Sequence, residues 1–480
     1  MRIFSYLLSA CLIALFGTSN PLRAEDKVIV HEWGTFTCLQ DENGKAIGGI
    51  NVDDEPVPSF VFQEGGGQEV AAQYSHDLGN FGLPPYLAGK GWASGDPAVT
   101  MRLETPVIYI YPPKGQSPSS VPPLDVHVDF HGGMLTQFYP YADAVPFNGQ
   151  ANISEQLMSS LDWNGVKIGS KEKPVETDDK VWTTPREVSA PVLQVMMHWR
   201  GGNAQPDPVG VPQAEHFLFY RGVGHLDSPL RMQDGDGEVG VWPQKSSGSL
   251  EYTGGWWLAE IHADGSCAFR EPHLTEPQGQ NGLRPVPMVT FSEKFAVSDF
   301  SADNLTKLKS SMHDALVKDG LYDDEATAML KTWELSYFKS PGLRFFYIVP
   351  RAWVDKILPL KITGAPIDIT RVMVGRIELI TDAQKSALVR LASGPCPDLV
   401  SVKKAAQDAL QNSKLPKDEV DAFYHGEKPL SELGITIPPL VQDYLNLGRF
   451  RDALIVHEQQ LHPSAVLAQF IKDNRLASGN

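Results

Sequence analysis

Between Glu25 and Phe295, hydrophobic and polar positions follow a period of two in short runs, the pattern of half-buried strands. The runs are KVIVHEWGTFTCL, TPVIYIYPP, LDVHVDFHGG, VLQVMMHWRGG, EHFLFYRGVG, GWWLAEIHADGSCAFRE and VPMVTFSEKF. Breaker-rich stretches such as PPKGQSPSSVPP, GGNAQPDPVGVP and EPHLTEPQGQNGLRPVP separate them. Many strands with Gly/Pro connections predict a mainly antiparallel sandwich or distorted barrel, in one unit or two.

The period changes near Ser298. Leu305, Leu308, Met312, Ala315 and Leu316 recur at helical spacing up to Gly320. Asp323, Asp324 and Glu325 then favour a second helix N-terminus, with Ala326, Met329, Leu330, Trp333 and Tyr337 on one face. GLRFFYIVP and ITRVMVGRIEL read as strands, and Thr381 with Gln384 as a capping box opening another helix. The remainder is helical. YLNLGRFRDALIVHEQQLHP resembles one tetratricopeptide unit, but an array needs three or more, so a lone hairpin packed on the body is the simpler reading. The fold class expected is α+β, with a β-rich region at residues 25–297, an α+β region at 298–395 and a helical region at 396–480.

The N-terminus changes the picture of where the chain works. Arg2, the apolar run from Ile3 to Phe16 and Leu22-Arg23-Ala24 form a secretory leader over residues 1–24, too short to span a bilayer. LSAC, ending at Cys11, has the shape of an acylation signal, yet too few apolar residues precede it. An extracytoplasmic protein, periplasmic or secreted, is expected. Losing Arg2 and Arg23 takes the 41 Lys and Arg to 39 against 58 Asp and Glu, a net charge of −19. That charge repels phosphate backbones, so no nucleic-acid partner is expected. No later segment is long and apolar enough to span a membrane as a helix. Cys38, Cys267 and Cys396 remain after cleavage and permit one disulfide at most.

VHEWGTFT, RLETPVIYIYPP, FLFYRGVG, GLYDDEATAMLKTWELSYF, GLRFFYIVPR and RVMVGRIEL together resemble a family of large, uncharacterised bacterial secreted proteins. The resemblance runs through nearly the whole mature chain. It implies one integrated protein from a bacterial exterior and supplies no catalytic residues.

Candidate chemistry starts in the first strand. Val28, Val30, Glu32, Gly34 and Phe36 share one face; Ile29, His31, Trp33, Thr35 and Thr37 share the other. A buried Glu32 is either a general acid of raised pKa or the partner of an arginine, with Arg102, Arg371 and Arg376 as donors. Pairing is the preferred reading. His31 and Trp33 offer a surface for stacking on a sugar ring, with burial against a loop as the alternative. His127, Asp129 and His131 share a strand face. Neighbours two apart stand about 6.6 Å from each other, so two can share a zinc-like ion; all three need a bulge at Gly132-Gly133. A half-exposed polar strand face explains the same residues without metal. DGDGE, with Asp234, Asp236 and Glu238, is a turn that suits calcium but lacks the rest of a helix–loop–helix site. Glu32, Glu104, Asp129 and Glu260 allow a glycosidase-type carboxylate pair, which spacing alone does not select. GxSxG, HExxH and P-loop motifs are absent from the sequence. The function expected is a binding or scaffold protein for a glycan or cell-envelope ligand, with a protein partner at the C-terminal helices as an option. The alternative is a secreted hydrolase, perhaps using a divalent metal.

Overall fold

The computed structural model describes residues 27–476, apart from 53–55, 64–91, 93–94, 146–151, 198–209, 236–237, 246–249, 253–254, 273–287, 293 and 425–427. The fold is α+β. Its centre is a nine-stranded sheet. In spatial order the strands are Cys267–Arg270, Trp256–Ile261, Gly342–Ile348, Ile367–Leu379, Val28–Leu39, Met101–Tyr111, Leu218–Gly224, Gly133–Tyr139 and Phe62–Gln63.

Neighbouring strands run antiparallel except at the middle. There Val28–Leu39 pairs in parallel with Ile367–Leu379, from Val28 opposite Ile367 to Leu39 opposite Glu378. On its other side the first strand pairs with Met101–Tyr111, and the register slips between Trp33 and Thr35. Gly34 sits in that slip, where a Cβ would come within 2.9 Å of the Pro106 Cα, so close approach requires glycine.

Both faces of this sheet are covered. The Val28, Val30 and Phe36 face packs on a six-stranded sheet through Leu124, Val126, Val128, Phe130, Leu161 and Trp163. That sheet runs Leu360–Thr363, Leu124–His131, Met158–Ile168, Leu193–Met197, Val211–Glu215, with Asp143–Val145 beside Met158–Ile168. Onto the Trp33 face pack the helices Ala302–Lys318 and Asp323–Thr332 and the π-helical turn Glu334–Lys339. A third cluster joins the C-terminal helices to the sheet end at Leu39, Met134 and Val223 and to Ile50 in the segment after the first strand. A small sheet, Leu230–Gly235, Glu238–Pro243 and Val289–Ser292, completes the described strands.

The division expected at residues 297/298 is therefore not a division of the sheet. Gly342–Ile348 and Ile367–Leu379 come from beyond it, and Ile367–Leu379 lies directly against the first strand, where the buried stretch 374–378 has partners on both edges. Cys38 and Cys267 are buried free thiols and Cys396 is exposed and free. Among the described residues no helix is long and apolar enough to cross a membrane.

Candidate functional site

Glu32 is completely buried. Its carboxylate accepts from Arg371 Nε at one oxygen and from the Tyr220 hydroxyl at the other, 2.5 Å away. Arg371 continues outward, donating through Nη1 to Asp355 Oδ1 at 2.9 Å and to the Leu358 carbonyl at 2.7 Å. Burial, the largest single influence, pulls Arg371 down, but the Glu32 charge, Tyr220 and the hydrogen bonds to Glu32 and Asp355 together hold the guanidinium above its ordinary value. Tyr220 is pushed well up, first by burial and then by the Glu32 charge. This is a structural ion pair enclosed between two sheets, out of reach of a substrate.

The sugar-stacking surface expected at His31 and Trp33 does not exist. Trp33 is fully buried against Tyr109 and Trp333, and His31 is only 4% exposed. The helical layer that covers them is built from Asp323–Thr332 and the turn after it. His31 Nδ1 lies 2.7 Å from Glu325 Oε2, the same carboxylate that takes the Tyr111 hydroxyl at 2.7 Å and caps Tyr322 N at 2.8 Å. The polar edge of His31 is thus used to dock a helix onto a sheet, and Trp33 packs there through its rings.

Accessible chemistry lies on the outer face of the six-stranded sheet. In Leu124–His131, Leu124, Val126, Val128 and Phe130 point into the core, leaving Asp125, His127, Asp129 and His131 outward. Asp162, on the adjacent strand, stands opposite His127 in register. Its Oδ1 is 2.7 Å from His127 Nδ1, and Asp129 Oδ1 is 3.1 Å from Nε2. Both ring nitrogens therefore face carboxylates, and none remains for proton transfer to a substrate. Burial lowers the His127 pKa, but the hydrogen bond and charge of Asp162, followed by Asp129, outweigh it and the pKa is raised.

These residues open onto a cavity of about 490 Å³ lined by Asp125, His127, Asp129, Asp162, Pro359, Leu360, Lys361 and Thr363. His131 is not in that lining: it pairs across with Met158 at the far end of the strand. The expected metal set His127–Asp129–His131 is thus not assembled. The straight strand keeps its ends apart, and His127 is already tied to two carboxylates. Among the described residues, no group of three or more His, Cys, Asp or Glu side chains is arranged to hold a metal ion. Of the acidic turn, Asp236 lies outside the described residues; Asp234 Oδ2 is 3.4 Å from Lys385 Nζ.

Asp162, Asp125 and Lys361 were not singled out in the sequence. Asp162 carried a signal: in SSLDWNG the polar Ser160, Asp162 and Asn164 alternate with Leu161 and Trp163.

No family model matches the chain, and no curated protein matches it. Among solved structures it is similar to "Fcho1 Mu homology domain (Danio Rerio) with bound Eps15 peptide" at 8% identity, over 75% of this chain and 97% of that one. The TM-score is 0.22, a likeness too low to carry an argument about fold or function.

Proposed function

We propose that this chain is an extracytoplasmic binding protein whose ligand, a glycan or other hydroxyl-rich envelope component, seats in the Asp125–Asp162 cleft. One observation supports this above others. On the central sheet His31, Glu32 and Glu104 are enclosed in pairs with Glu325, Arg371 and Arg102, whereas His127, Asp129 and Asp162 stand partly exposed around an open cavity. Carboxylates accept from paired sugar hydroxyls, Lys361 and Thr363 add donors, and Pro359 and Leu360 add apolar surface for ring carbons. The strands fix these groups in advance, which lowers the ordering cost of binding. The leader-like N-terminus supports delivery to the compartment where such ligands occur.

The test is a glycan array and envelope-fraction retention, run with wild type, Asp129→Asn and Asp162→Asn. A hydrogen bond to a charged group contributes about 1.5–3 kcal/mol, so each variant is expected to bind about tenfold or more weakly. Wild type retained by no glycan and no envelope fraction, or variants that bind equally well, would overturn the proposal.

A further inference from the structure

The three acids that line the outer-face cavity use only half of their hydrogen-bonding capacity within the protein. Asp162 Oδ1 and Asp129 Oδ1 face the two ring nitrogens of His127, at 2.7 and 3.1 Å. Asp125 Oδ1 accepts from the Gly165 amide at 2.8 Å. In all three side chains Oδ2 has no hydrogen-bond partner among the described residues.

Two cations share the lining with these acids. His127 is engaged on both nitrogens. Lys361, opposite it in register on the strand Leu360–Thr363, has no ion pair among the described residues. With His127 counted as fully protonated, three carboxylates stand against two positive groups; with a neutral imidazole they stand against one. Asp143, in register with Asp162 on the next strand, is a further acid with interactions of its own, which at most cancel its own charge. Lys167 and Lys356 lie outside the lining. The cavity of about 490 Å³ has room for a small ligand rather than a lone ion.

We propose that this cleft selects a free ammonium group, so that its ligand is an amino sugar rather than a neutral or acidic glycan, an assignment that rests on glycan binding at this site. An ammonium brings three N–H donors and a positive charge to carboxylate oxygens that lack partners. An N-acetylated amine brings one donor and no charge. Asp125 contributes most, because it is paired with no cation within the protein. Lys361 and Thr363, on the other side of the strand Leu124–His131 from Asp162, are left to donate to ring and hydroxyl oxygens.

The test is calorimetric titration of the full chain, at about pH 6 and about 0.15 M salt, with two trisaccharides of one skeleton. One is β-1,4-linked glucosamine and the other its fully N-acetylated form. The glucosamine form is expected to bind about tenfold or more tightly than the acetylated form. Asp125→Asn is expected to remove most of that preference. Lys361→Ala, which takes away a repelling charge, is expected to strengthen binding of the glucosamine form. Should Asp125→Asn fail to fold, Lys361→Ala, at an exposed residue, decides. An unchanged preference in Asp125→Asn would mean attraction by the acidic surface as a whole and overturns the ammonium assignment. So does equal affinity for the two sugars; if that binding is lost in Asp162→Asn, glycan binding in the cleft still stands. Binding of neither sugar also overturns the ammonium assignment, while glycan binding is then decided by the array.

Discussion

The buried pair Glu32–Arg371 shows how a side chain with catalytic potential is committed to structure. Glu32→Gln leaves the Arg371 guanidinium enclosed with a neutral neighbour, and breaking such a pair costs on the order of 3–5 kcal/mol. Chemical denaturation should show that loss; an unchanged midpoint would mean the pair contributes nothing. His127 behaves differently because about a third of its side chain reaches solvent. Its folded pKa lies above the ordinary value of 6.5. Its contribution to stability is therefore fully present below pH 6.5 and is lost as pH rises through the raised folded value. Water screens the pair, so the change in Tm should be small. A direct reading comes from NMR: the His127 ring should titrate above 6.5 in wild type and fall in Asp162→Asn. Titration at the same pH in both proteins would show that Asp162 does not set it.

Among elements, local signals were read well where they were self-contained. Thr381 and Gln384 form the expected capping box, Gln384 N on Thr381 Oγ1 at 3.2 Å and Thr381 N on Gln384 Oε1 at 2.9 Å, opening the helix Asp382–Ser393. The first strand runs from Val28 to Leu39 with its two faces as the alternation predicts. Met158–Ile168 was missed. Asn164-Gly165 reads as a turn, and Gly165 does adopt φ +66°, but inside a strand, beside a register slip against Leu124 and Val126. Partner strands, not local preference, keep that segment extended. The π-helical turn Glu334–Lys339 was likewise hidden, because its helical periodicity is ordinary.

For the whole molecule, the central sheet makes the chain interdependent. Residues 27–297 alone would leave Val28–Leu39 without its parallel partner and the Trp33 face without its helices. That fragment is expected to lack cooperative thermal unfolding and near-UV circular dichroism, in contrast to the full chain. A fragment that unfolds cooperatively would show the β region to be independent. The sequence by itself determined the α+β class, the strands whose alternation is unbroken and the capped helices, because each depends on neighbours a few residues away. Only the tertiary structure decided which polar groups are enclosed and which reach water. His31 and Trp33 looked available until a helix nearly three hundred residues later in the chain covered them. His127 acquired its character from Asp162, a residue on another strand. Burial and electrostatic pairing fall steeply with distance in space, and distance in space is what a linear pattern does not contain.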